Sequence, residues 1–134
     1  LPMAELKAYA MAGNLTVTTA SMAEQVVVYH SYVHEGAKAR LWHSCSEFRT
    51  ADNATRNAIG RANKFLHWED IRYLKREGVT DYDWGGVVSF DQPNGIDKFK
   101  MSFGGSQAIY YNIMEENSLW AKLIHGLLRL KKRS

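Results

Sequence analysis

Cysteine, proline and long apolar runs are all scarce in this sequence, and each shortage excludes a class of protein. Its 134 residues contain one cysteine, Cys45, which excludes a disulfide framework and a cysteine-rich zinc site. Two prolines and the lack of a Ser- or Gly-rich tract exclude a disordered linker architecture. No apolar run approaches the ~20 residues that span a bilayer. Because Glu5 and Lys7 interrupt the first segment, it does not resemble a signal peptide, and we expect a cytoplasmic setting.

The charge balance is nearly even over most of the chain. Lysine and arginine total 17 against 14 acidic residues, which gives a formal charge of +3. Four of the basic residues lie in the last six positions: Arg129, Lys131, Lys132 and Arg133. Without that tail the body is near neutral, so composition alone does not predict nucleic-acid binding. The length and the 46% hydrophobic content fit one domain over residues 1–134.

Hydrophobic and β-branched patterns predict a chain of mixed α/β class. We expect a helix, three antiparallel strands, a helix, a strand, a helix, a strand and a final helix. The ranges are Met3–Ala12, Leu15–Thr19, Glu24–Val33, Lys38–Glu47, Arg56–Glu77 (one bent helix or two), Asp81–Val88, Ile96–Phe103, Gln107–Met114 and Leu119–Leu130. An antiparallel meander followed by strand–helix–strand crossovers is typical of an α/β or α+β sheet of mixed direction.

Two details of the meander can be predicted. The turn His34–Ala37 places Gly36 where positive φ is needed. In the strand that follows, strict alternation puts Leu41, His43 and Cys45 on one face.

Four short elements in the second half of the chain carry a family resemblance. They are Ile59-Gly60-Arg61-Ala62-Asn63, Leu66-His67-Trp68-Glu69-Asp70-Ile71, Tyr82-Asp83-Trp84-Gly85-Gly86, and Ile96-Asp97-Lys98-Phe99-Lys100 with Phe103-Gly104-Gly105. In this order and spacing the chain resembles the FemAB/FemX-related branch of the GNAT acyltransferase superfamily, over roughly residues 15–111.

The resemblance implies a GNAT-like mixed sheet with a splayed pair of central strands. It also implies an N-acyltransferase or aminoacyltransferase, which moves an acyl group to a small-molecule or peptide amine. The donor is acetyl-CoA or another acyl-CoA in the wider superfamily and aminoacyl-tRNA in the FemAB branch, so RNA is a partner only in the second case. A catalytically inactive GNAT-like module for binding or oligomerisation is the alternative.

Compared with the full GNAT fold, we expect the chain to lack a first strand and a first helix. A sheet without its first strand presents an unpaired edge. We therefore expect a homo-oligomer, most simply a dimer, in which a second copy covers that edge.

The resemblance places a cofactor-binding turn at Asn57, Gly60, Arg61 and Ala62. In the superfamily this is a loop-to-helix turn whose backbone N–H groups face the CoA pyrophosphate. The position of the usual Arg or Gln is Asn57 here, and a flanking Arg56 or Arg61 could supply the charge instead. The alternative is a helix start whose glycine allows close packing.

Lys100 and Asp83 are the candidate catalytic residues, and Lys100 is the residue that the FemAB-like resemblance singles out. An ammonium such as that of Lys100 lowers the barrier when it lies near a developing oxyanion. Phe99 stands where many acetyltransferases have a tyrosine that protonates the leaving thiolate. Asp83 is placed to orient an amine or to accept its proton. The alternative for Lys100 is a solvated surface lysine, and the alternative for Asp83 is a residue that caps the following turn.

The strand end at Trp84, Gly85 and Gly86 is the candidate substrate site, because glycines there allow a substrate backbone to approach closely. Residues four apart on a strand, such as His30 and His34, lie about 13 Å apart and cannot ligate one metal. The sequence therefore predicts no metal site, and most of the five histidines are expected to be ordinary strand or surface residues.

Overall fold

A computed structural model describes residues 3–49 and 52–111, which contain a four-stranded mixed sheet and three α-helices. The elements are α1 (Met3–Met11), β1 (Leu15–Met22), β2 (Gln25–Glu35), β3 (Lys38–Ser46), α2 (Asn53–Arg76), β4 (Asp81–Asp83) and α3 (Gly95–Met101), with a 3-10 turn at Glu47–Arg49. The mixed α/β class and the order of the first seven predicted elements are confirmed. The chain divides into two compact units, Leu1–Ser102 and Phe103–Ser134, and all of these elements lie in the first.

The sheet has the order β1-β2-β3-β4, and its first three strands form the predicted antiparallel meander. The β1–β2 connection is a two-residue turn in which Ala23 and Glu24 both have positive φ, as a type I′ hairpin requires. Gly36 occupies the β2–β3 turn with φ +59°, as predicted. Within the described residues β1 pairs only with β2, so β1 forms one edge of the sheet.

The unit β3–α2–β4 is a crossover that returns the chain parallel to β3. The two strands pair over three residues only, Lys38–Arg40 with Asp81–Asp83. β3 then continues to Ser46, whereas β4 ends at Asp83. Strands β3 and β4 are therefore hydrogen-bonded to each other only where β3 begins, and β3 extends past the end of β4.

Helix α2 begins at a well-formed cap and packs along the sheet. The Asp52 side chain accepts from the backbone N–H groups of Ala54 and Thr55, which satisfies donors that a helix start leaves unpaired. The helix ends before Gly78, as predicted, where the Val79 N–H donates to the Leu74 carbonyl. Two apolar clusters join α2 to the strands. They consist of Val27, Val28, Ile59 and Leu66, and of Tyr32, Ala39, Leu41 and Leu74.

Several predicted boundaries are wrong. Helix α2 starts at Asn53 and not near Arg56, and it is one helix of 24 residues, so the alternative of two helices is wrong. The strand predicted at 81–88 is limited to Asp81–Asp83. Residues 107–111 of the strand predicted at 107–114 form no strand. The rest of that range and the predicted helix at 119–130 lie outside the described residues.

A β-bulge overturns the predicted face assignment of β3. The register passes from Ser31 opposite His43 to Tyr32 opposite Leu41, so Trp42 is an extra residue in β3. As a result Leu41 packs in the cluster with Leu74, and Ser44 also faces α2, with its hydroxyl 3.5 Å from the Asn63 side-chain oxygen. His43, between them, bonds instead to Ser31.

None of the helices within residues 3–49 and 52–111 combines the length and apolarity needed to cross a bilayer.

Candidate functional site

A layer of buried polar side chains separates the two apolar clusters between α2 and the sheet. Asn63, His67 and Asp70 follow one another at i, i+4 and i+7, a spacing that places them on one face of α2. His30 and Tyr32 project from β2 toward this face, since alternate strand residues share a side. His30, His67 and Asp70 are each no more than 2% exposed.

Asp70 is the centre of this layer. One of its carboxylate oxygens, Oδ2, accepts from the Nδ1–H of His30 at 2.7 Å and from the hydroxyl of Tyr32 at 2.6 Å. The other ring nitrogen of His30 lies 2.9 Å from the Asn63 side-chain oxygen. At 2.7 Å, the His30 ring nitrogen and the Asp70 carboxylate have the geometry of a buried ion pair.

The hydrogen bonds then continue from Tyr32 on β2 to Tyr82 on β4, and the donor of each bond can be assigned. Because Tyr32 gives its proton to Asp70, its oxygen accepts from the hydroxyl of Tyr82, 3.0 Å away on β4. The Tyr82 oxygen in turn lies 3.4 Å from Nδ1 of His67. Burial, before any other cause, raises the pKa of both tyrosines above the ordinary value. Both hydroxyls therefore stay protonated and act as donors at neutral pH.

His67 connects this layer to an aromatic cluster. Its ring stacks on His30 at a centroid distance of 3.9 Å and contacts Trp84 at 4.9 Å and Phe99 at 5.5 Å. Burial, followed by the neighbouring His30, lowers the pKa of His67 to about 3. His67 is consequently a neutral, packed ring at physiological pH and not a general base.

Trp84, one of the residues predicted to form a site, lies next to His67. Trp84 and Phe99 contact it and each other, with their ring centroids 6.4 Å apart. The Lys100 ammonium donates to the Gly86 carbonyl at 2.7 Å, which ties α3 to the segment after β4. The structure thus joins Lys100 to Gly86, and Trp84 contacts Phe99, the residue before Lys100 in α3.

Asp83 holds the turn between β4 and the glycine pair. Its Oδ1 accepts from the Gly85 N–H at 2.8 Å, and its Oδ2 lies 3.1 Å from the Lys38 ammonium. Although burial raises the pKa of Asp83, the Gly85 N–H and Lys38 outweigh it and lower that pKa below the ordinary value. Gly85 has φ +72°, and a Cβ there would meet the Leu41 carbonyl oxygen at 3.3 Å. A side chain at this position would therefore be both strained and crowded.

The expected loop-to-helix turn at Asn57, Gly60, Arg61 and Ala62 is wrong in its placement. These residues lie inside α2, beyond its first turn. Interior N–H groups of an α-helix donate to the carbonyl four residues earlier and are not available to a phosphate. Gly60 lies two turns, about 10 Å, along α2 from His67.

His30, His67 and Asp70 also have the residue types of a metal centre, with ligand atoms within 4.8 Å of one another. The geometry does not fit that role. A metal lies in the plane of each imidazole that binds it, about 2 Å from the nitrogen. The two rings are stacked with an interplanar angle of 22°, so no point lies in both planes near both nitrogens. Asp70 Oδ2 already accepts two hydrogen bonds.

A separate open cleft of about 520 Å³ lies at the C-terminal end of α2. Its lining residues are Ile71, Leu74, Lys75, Gly78, Val79, Thr80 and Tyr82. No predicted site residue lines it, but Tyr82 also belongs to the buried polar layer.

Sequence reasoning missed the buried layer. The polar residues at i, i+4 and i+7 between apolar Ile59 and Leu74 were the available signal on α2. The partner strand was not identifiable, because His30 is 40 residues from Asp70 along the chain.

No protein-family model matches this chain, and neither the curated proteins nor the solved structures include a significant match.

Proposed function

We propose that the chain is a GNAT-like acyl-transfer domain of the FemAB-related type, which moves an acyl or aminoacyl group to an amine. The observation that carries this proposal is the parallel β3–α2–β4 unit, whose strands pair for three residues and then no further. Ligands of open sheets bind beyond the carboxyl ends of the strands. Trp84, Gly85 and Gly86 follow the carboxyl end of β4.

Each residue at this strand end has a role in the proposal. The Lys100 ammonium stabilises the oxyanion that forms when the amine attacks the carbonyl carbon. Collapse of this oxyanion breaks the bond to the donor's sulfur or ribose oxygen, which leaves as the thiol or hydroxyl with the proton that the amine loses. Lys100 reaches this position through its bond to the Gly86 carbonyl. Trp84 and the glycine pair hold the acceptor, and the paired Asp83 carboxylate fixes their turn. Asp83 is thus a positioning residue in this proposal, not the proton acceptor.

The start of α2 bears on the identity of the donor. Asp52 already accepts from the first N–H groups and adds a negative charge there. This arrangement disfavours a pyrophosphate at the helix start, where CoA is expected in the superfamily. It therefore favours an aminoacyl ester donor over a CoA thioester.

The experiment compares Lys100→Ala with Lys98→Ala, an exposed lysine of the same helix, in transfer assays with acyl-CoA and aminoacyl-tRNA donors. Loss of one oxyanion-stabilising group lowers kcat about 100- to 1,000-fold. We expect that loss for Lys100→Ala and near wild-type rates for Lys98→Ala. Equal rates in the two variants would contradict the proposal.

A binding module without catalysis is the second candidate. Phe99 at the position of the acid tyrosine and Asp52 at the helix start favour it. Absence of binding to either donor by calorimetry would support it over the enzyme.

We further propose that β1 pairs with a second copy of the chain, because β1 is an edge strand in the described sheet. Sedimentation at micromolar concentration tests this, and a monomer would count against it.

A further inference from the structure

The outer face of α2 carries a stripe of cations interrupted by exposed aromatic rings. Opposite the buried layer, the residues of this stripe are Arg61, Lys64, Phe65, Trp68, Arg72, Lys75 and Arg76. At 100° per residue they fall within a sector about 120° wide, and they extend about 22 Å along the helix. We call this set the α2 stripe.

The α2 stripe combines positive charge with exposed aromatic rings. It contains five cations, and the one acidic residue at its margin, Glu69, pairs with Arg72 at 2.8 Å. Phe65 is 63% exposed and Trp68 55% exposed, although buried positions are the norm for rings of this size. The formal charge of the whole chain is only +3, so positive charge is concentrated on this face.

The shape of the stripe indicates the kind of partner. All seven side chains project from one side of a single helix, so they can meet a flat surface at the same time. Sites for single-stranded nucleic acid combine charge with a groove that follows the backbone, whereas this face is convex. Lys and Arg bind anionic lipid headgroups, and Trp and Phe favour the boundary between headgroups and acyl chains.

We propose that the α2 stripe is a docking surface for an anionic lipid bilayer. In this arrangement the helix lies parallel to the membrane plane, with Trp68 and Phe65 at headgroup depth and the cations on lipid phosphates. The proposal does not depend on acyl transfer, because its test needs neither donor nor acceptor.

The experiment measures co-sedimentation of the protein with vesicles of phosphatidylcholine alone or with added phosphatidylglycerol. We expect binding to the anionic vesicles only. Each cation near such a surface contributes a factor of about five to binding. Arg61→Gln should therefore weaken binding about fivefold, and Arg61→Gln with Lys75→Gln about 25-fold. Lys7→Glu, on exposed α1, is the control and should change binding little.

Tryptophan fluorescence tests the insertion step separately. Anionic vesicles should shift wild-type emission to the blue, and Trp68→Phe should abolish most of that shift while co-sedimentation is largely retained. No binding to anionic vesicles, or equal binding by the Arg61 and Lys7 variants, would overturn the proposal. Binding of a labelled single-stranded RNA that is weakened by the same glutamines, without vesicle binding, would instead identify a nucleic-acid face.

Discussion

Removal of the Asp70 carboxylate is the most direct test of the buried polar layer. Asp70→Ala deletes an oxygen that accepts 2.7 and 2.6 Å hydrogen bonds from His30 and Tyr32, in a site 2% exposed. Breaking a buried ion pair by removing one partner costs about 3–5 kcal/mol. The expected loss is at least about 3 kcal/mol in the free energy of unfolding.

The neighbouring residue provides the matched control. Glu69→Ala also removes a carboxylate from α2, but the Glu69–Arg72 pair is at the surface, with the Arg72 side chain 53% exposed. Such pairs contribute about 0–1 kcal/mol. Asp70→Asn keeps the size of the side chain and an oxygen for Tyr32, so we expect a loss between those of the two alanine variants.

Urea unfolding at neutral pH measures the difference. With a slope of about 1–3 kcal/mol per molar urea, the midpoint should fall by at least about 1 M in Asp70→Ala. The slope itself should not change. If Asp70→Ala and Glu69→Ala unfold within about 0.5 kcal/mol of each other, the assignment of Asp70 as the centre of the layer is wrong.

Two further stability predictions concern His67 and the glycine pair. His67 has a pKa near 3 in the folded chain and the ordinary 6.5 when unfolded, so the unfolded state binds more protons between these values. The free energy of unfolding should therefore fall by at most about 1.4 kcal/mol for each pH unit below ~6.5. In His67→Gln it should fall less steeply. Urea midpoints between pH 6.5 and 5 measure both slopes, and equal slopes would contradict the prediction. Gly85→Ala should lower the free energy of unfolding by about 1–3 kcal/mol, because the φ of +72° disfavours a side chain and the new Cβ would meet the Leu41 carbonyl. Gly86→Ala is the control: a Cβ there meets open space, so the same unfolding assay should show almost no change.

The order of elements could be predicted because it depends on local signals. Alternating β-branched residues mark the strands, and Gly36 and Gly78 lie where the hairpin turn and the helix end require them. The face assignment of β3 failed because a bulge at Trp42 shifts the alternation by one residue. A bulge is fixed by pairing with the neighbouring strand, so one strand's own pattern does not contain it.

The candidate site was predictable only where its residues lie close together in the sequence. Trp84, Gly86 and Lys100 were identified as short motifs; the structure joins Lys100 to Gly86 by a hydrogen bond and packs Trp84 on Phe99, the residue before Lys100 in α3. His30 and Asp70 were not identified, because their contact joins residues 40 positions apart. The interior placement of Gly60 depends on where α2 starts, and the helix begins at Asn53 and not near Arg56.

The polar layer also determines how α2 is aligned with the sheet. Apolar clusters tolerate a helix that slides or turns slightly, since their contacts have no preferred direction. The bond from His30 to Asp70 has a direction, and a shift of one residue in α2 would leave a carboxylate buried without a partner, at a cost of several kcal/mol. Trp84 packs on His67, one turn of α2 from Asp70. The alignment that pairs Asp70 therefore also places the aromatic side of the candidate site.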